Sequence, residues 1–135
     1  MKINKEIAIK VFLWLVSLHS FFVGVGLIIL PQSFFNYLGF GFIGERFFST
    51  QGGVFHILMA ICYAFSAIDL KQYKALIFFS IIIKFSAAIF LFIYFLFING
   101  LLLIAFSGIS DLIMGAVILY LYLGLVKEKY FGSIK

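Results

Sequence analysis

The chain has 135 residues, of which 65% are hydrophobic and 11% charged, with a formal net charge of +5 and a mean hydropathy of +1.24. A soluble domain carries roughly 45–50% apolar and about 25% charged residues, and a body of this size has too little interior to hide the excess from water. A water-soluble enzyme, a disordered tail and a nucleic-acid binder are thereby excluded, and one integral membrane domain over residues 1–135 is expected. The single cysteine, Cys62, excludes an intramolecular disulfide, a CxxC redox pair and a multi-thiolate metal site.

Lys2, Lys5 and Lys10 open the chain, followed by an apolar run from Val11 to Leu30 that Pro31 stops. This run is too long for a secretory leader and no A-x-A-type site follows it, so an uncleaved first helix is expected. Residues 31–46 are the one long connection: aromatic around Phe34, Phe35 and Tyr37, then Gly-rich as far as Arg46. Aromatics of this kind suit the headgroup region, as a short helix in the interface or as a loop over the bundle. A second run covers Phe47 to Ile68, a third Ala75 to Ile98 and a fourth Leu101 to Val126. Each reaches the about 20 residues that a bilayer core of about 30 Å requires. Runs this long and continuous are helices rather than barrel strands.

The expected architecture is therefore all-α, a four-helix transmembrane bundle. Asn99-Gly100 makes the last two spans a tight antiparallel pair. With four crossings, Lys2, Lys5, Lys10, Lys71, Lys74, Lys127, Lys129 and Lys135 fall on one side, against Arg46 beside Glu45 on the other. Loop lysines favour the cytoplasm, so both termini are expected inside, in the cytoplasmic membrane of a bacterium.

Each span holds one ionisable residue near its middle: His19, His56, Lys84 and Asp111. Counted from the starts of their spans at 1.5 Å per residue, all four lie roughly 12–15 Å deep. Such groups cost about 2.5–3.5 kcal/mol at the bilayer centre on insertion scales and usually face the bundle interior. Lys84 and Asp111 are on adjacent spans at matching depth, which predicts an ion pair. Two interpretations remain open: a buried clasp that fixes helix register, or a proton relay or polar anchor for a ligand. Small residues share these faces: Ser107, Asp111 and Gly115 with Gly108; Ser80, Lys84 and Ala88; Gly52, His56 and Ala60, then Tyr63. Small residues let membrane helices approach closely. Glu45, Arg46 and Gln51, with Gly52-Gly53, form a candidate entrance at the outer end of span two. A bis-His haem between His19 and His56 has only the minimum number of ligands, and three good zinc ligands do not cluster in the sequence. No metal is assigned.

The plan of a basic start, Pro31 closing span one, an aromatic loop, Arg46 followed by Gln51-Gly52-Gly53 and His56, then Lys84 and Asp111, resembles the DoxX-like superfamily of small four-helix membrane proteins. The resemblance covers nearly the whole chain. It implies a protein of unassigned activity, accessory in preference: some members are subunits of quinone-linked oxidation systems, others assist maturation of redox enzymes or receptors, and many have no known activity. The chain lacks the paired cysteines of a redox-active pattern, and no catalytic residue carries over. A small multidrug exporter, similar in length, places a carboxylate in span one, where this chain has His19.

The resulting expectation is a small-ligand site, quinone-like in preference, in which Lys84 and Asp111 hold a polar head, His19 and His56 donate or relay protons, and Tyr63 and Ser107 stand nearby. The competing expectations are a proton-coupled transporter built on Asp111 and a purely structural clasp. The expected partners are the lipid bilayer, a hydrophobic small molecule, and a membrane-protein partner or second copy of the chain.

Overall fold

The computed structural model describes residues 4–41 and 45–132; Lys2 and Lys135 of the charge count lie outside them. The described residues are helical in five segments: α1 Lys5–Ile29, α2 Gln32–Tyr37, α3 Phe47–Ile68, α4 Lys74–Phe97 and α5 Leu102–Lys127. Four of these are long and apolar enough to cross a membrane. Within the most apolar stretch of each, 28% of the residues are buried in the bundle, so most of the apolar surface faces outward. Lipid is the solvent that tolerates such a surface.

Local chemistry sets the helix ends. α1 begins six residues before the apolar run does, because the Asn4 side chain accepts hydrogen bonds from the Glu6 and Ile7 amides. A Lys10–Glu6 ion pair of 2.8 Å spans the first turns, the i, i+4 spacing that brings two side chains together on a helix. α1 stops at Ile29, and Leu30 is extended (ψ 136°), as the residue before a proline must be to avoid the ring. Asp69 accepts from the Lys71 and Gln72 amides at 2.9 and 3.0 Å and turns the chain from α3 into α4. At the opposite end Asn99 accepts from the Leu101 amide at 3.2 Å and turns α4 into α5.

The bundle is two tight pairs, α1 with α3 and α4 with α5, joined through α1–α5 and α3–α4 contacts. In the first pair the backbones touch. A Cβ on Gly24 would lie 2.7 Å from the Gly53 carbonyl oxygen, and one on Gly53 would lie 2.6 Å from that of Gly24. Only glycine permits this approach. The Ser17 hydroxyl donates to the Ala60 carbonyl at 2.7 Å and adds a polar tie between the same helices. In the second pair Gly108 lies under Leu91 and Phe92, and Gly115 under Lys84 and Phe85.

What joins the two pairs is a core near the chain termini. Ile9, Leu13 and Val16 of α1 meet Tyr63 and Ala67 of α3, Ile77 and Ile81 of α4, and Met114, Ile118 and Leu121 of α5. Polar contacts fasten that end: Lys5 pairs with Glu128 at 2.9 Å, and the Lys71 and Lys74 ammonium groups lie over the Tyr130 and Phe131 rings. Toward the other end lies the candidate site, lined by residues of both pairs.

Candidate functional site

Two adjoining cavities occupy the space between the helix pairs. The inner one, about 370 Å³, is lined by His19 and Val23 of α1, His56 of α3, Leu91 of α4, and Phe106, Ser107, Ser110 and Asp111 of α5. The outer one, about 700 Å³, shares His19, Val23, Leu91 and Ser107 with it. Its remaining wall is apolar but for the Tyr94 hydroxyl: Phe22 and Leu27 of α1, Phe90 of α4, and Leu103 and Ile104 of α5. Phe34, Phe35, Leu38 and Phe40 cover it from the segment between α1 and α3. That segment is held across the bundle, because Gly39, at φ +92°, sits against Leu101 at the start of α5.

Lys84 lies behind the inner cavity. It is 4% exposed, and its Nζ donates to Asp111 Oδ1 at 2.6 Å. The ammonium also lies 5.6 Å from the centre of the Tyr63 ring, whose π face attracts a cation. Tyr63 itself is buried at 1% exposure. The Asp111 side chain is 14% exposed and lines the cavity. The pair therefore presents its carboxylate to the cavity and keeps its cation in the wall. Among the described residues, neither His19 nor His56 forms a side-chain hydrogen bond with protein, which leaves one donor and one acceptor on each neutral ring for whatever enters.

Three of the four ionisable residues expected at one depth, His19, His56 and Asp111, thus share one cavity with Ser107, while Lys84 and Tyr63 back it. Ser107 is less available than its position suggests, since its hydroxyl donates to the Leu103 carbonyl one turn earlier at 2.9 Å, as serine often does in a helix. Ser80 does the same with Leu76 at 2.7 Å. Ser110, which the sequence analysis passed over, lines the inner cavity; its adjacency to Asp111 and three-residue spacing from Ser107 were the available signal.

The residues grouped as an entrance line neither cavity. Glu45 and Gln51 are on the exposed surface. Arg46 Nη2 donates to the Leu27 and Ile28 carbonyls at 3.3 and 2.8 Å, which satisfies open carbonyls at the C-terminus of α1 and places a cation at the negative end of its dipole. Gly53 belongs to the crossing with Gly24, and Gly52 faces Leu27 at 3.9 Å with room to spare. These residues are neighbours in sequence but not in space: Gly52 and Gly53 turn toward α1, Arg46, at the N-cap of α3, reaches the end of α1, and Glu45 and Gln51 face outward.

Among the described residues no three His, Cys, Asp or Glu side chains cluster to hold a metal ion. Fold and site together define an integral, multi-pass membrane protein with a polar cluster beneath an apolar cavity. Comparison with family models, curated proteins and solved structures found no match for the chain.

Proposed function

We propose that this protein holds a membrane-soluble small molecule head first, with the head at Asp111, His19 and His56 and the apolar body in the outer cavity. The observation that carries this is the adjacency of the two cavities: one of about 370 Å³, lined by His19, His56, Ser110 and Asp111 among others, shares His19, Val23, Leu91 and Ser107 with a largely apolar one of about 700 Å³. The outer volume falls within the range of roughly 300–1,000 Å³ typical of small-molecule sites, and few convergent polar groups in an apolar wall are their usual chemistry. Lys84 stabilises the Asp111 carboxylate in this poorly solvated place. A quinone-like compound suits the arrangement in its quinol form, whose hydroxyls donate to Asp111 and accept from imidazole N–H groups.

On this proposal the chain is an accessory protein of DoxX-like type in a bacterial cytoplasmic membrane, with both termini inside and α2 lying in the outer interface. The lysines beside the spans support that orientation. Mass spectrometry of small molecules that remain with the protein purified from native membranes tests the function: a stoichiometric lipophilic compound, lost in His56→Leu, is expected, and an empty protein in both cases overturns it.

Proton-coupled transport is the second reading, because Asp111 faces the cavity while bound to Lys84, so that its protonation would release the ammonium. Proton flux in proteoliposomes, abolished by Asp111→Asn, is what that reading requires.

A further inference from the structure

Building on that ligand site, we infer that its occupant enters sideways from the bilayer through the gap between the α1–α3 and α4–α5 pairs, and that the selected head is a neutral alcohol or phenol. The route follows from what closes the cavities. Toward the termini the apolar core shuts the gap, with Val16 one turn from His19 and Met114 one turn from Asp111. Toward the other end lie Phe34, Phe35, Leu38 and Phe40. The flank is open: lining residues Phe22, Phe90 and Phe106 are 67%, 61% and 65% exposed, and His19 and Ser107 are exposed beside them. A membrane-spanning helix needs an unbroken groove of about 30 Å, and this gap is blocked at both ends. A hydrocarbon chain needs only the flank.

His19 supplies the argument for occupancy. An imidazole at mid-depth, open toward hydrocarbon and without a protein partner among the described residues, carries the penalty of an unsatisfied polar group. A polar head in the cavity removes it.

The head chemistry follows from charge and valence. Lys84 engages Asp111 Oδ1 from within the wall, and no protein donor among the described residues engages Oδ2. An anionic head, such as a fatty acid carboxylate or a lipid phosphate, would meet the carboxylate first. A cationic head would meet a carboxylate that Lys84 already neutralises. A hydroxyl donates to Asp111 Oδ2 and accepts from an imidazole N–H, which satisfies both sides at no net charge.

The test uses the full chain in phosphatidylcholine nanodiscs and, as probe, hexadecanol carrying a diazirine in mid-chain, with photolabelled peptides identified by mass spectrometry. Labelling is expected within Phe22–Leu30 and Phe90–Tyr94. Unlabelled hexadecanol should suppress it about ten-fold better than hexadecyl methyl ether, the difference expected for a hydrogen bond to a charged acceptor, and better than hexadecanoate or hexadecyltrimethylammonium. Lys84→Met combined with Asp111→Leu should erase the preference while labelling persists. Equal suppression by all four compounds, or preference for a charged head, overturns the alcohol inference and leaves the ligand site standing. Labelling spread evenly over lipid-facing helix surfaces overturns the route, and retention of a native compound in the same preparation then shows whether the site itself survives.

Discussion

Lys84 and Asp111 meet at 2.6 Å across the α4–α5 interface, and Gly115, one turn beyond Asp111, lets α5 lie against the stem of Lys84, where an added Cβ would come within 3.2 Å of the lysine Cβ. The helices are thus as close as the pair requires, and the cation is sealed between Asp111 and the ring of Tyr63. Removing either partner leaves the other charge uncompensated in a place that water hardly reaches.

That geometry sets the first prediction. Lys84→Met or Asp111→Leu alone should destabilise the bundle by about 3–5 kcal/mol, whereas the double substitution should come close to the parent. Thermal unfolding in detergent, followed by helical circular dichroism, measures all three. A double variant as unstable as the worse single one would show that the pair contributes more than mutual neutralisation.

The α1–α3 crossing gives a second. Gly24→Ala and Gly53→Ala each drive a methyl group into a backbone carbonyl and should cost about 1–3 kcal/mol or more. Gly52→Ala, with its nearest neighbour at 3.9 Å, should be neutral or stabilising by up to about 1 kcal/mol, the helix-propensity gain. The same unfolding experiment separates the adjacent glycines.

Arg46 is expected to act as a clasp on α1. Arg46→Met removes two charge-assisted hydrogen bonds to the α1 terminus and should cost about 1–3 kcal/mol. Hydrogen exchange should quicken at Leu30 and through α2, while the Lys84 region keeps its protection. Equal loss of protection throughout would contradict a local role.

The Asp69 turn should respond to acid. Hydrogen bonds from the backbone amide of Gln72, and then of Lys71, hold its carboxyl below the usual carboxylate value. With the folded-state pKa depressed, the turn's contribution is complete above the unfolded value of about 4 and is lost as pH falls through the folded value. Amide exchange at Lys71 and Gln72 should therefore rise below about pH 4, beyond the intrinsic effect of pH. Asp69→Asn should show no such step.

The orientation can be checked independently of any ligand. Alkaline phosphatase fused at Gly41 should be active in bacterial cells, and the same enzyme fused at Gly132 inactive. The reverse pattern would overturn the assignment made from the lysines.

Hydropathy and helical rise are one-dimensional quantities, which is why the sequence alone determined four long apolar helices and their ends to within a few residues except at α1. Matching depth on adjacent spans was also enough to anticipate the Lys84–Asp111 pair. Rotation about each helix axis was not legible in the same way, because spans apolar on nearly every side carry little angular signal. Only the tertiary structure decided that Gly53 meets Gly24, that Arg46 turns to the end of α1 rather than to a cavity mouth, and that Lys84 stands behind the cavity while Asp111 faces it. It also decided where the core is. The apolar residues that join the two helix pairs gather near the termini, and the gap this leaves at the other end depends on how residues far apart in the chain pack together, which no local property of the sequence records.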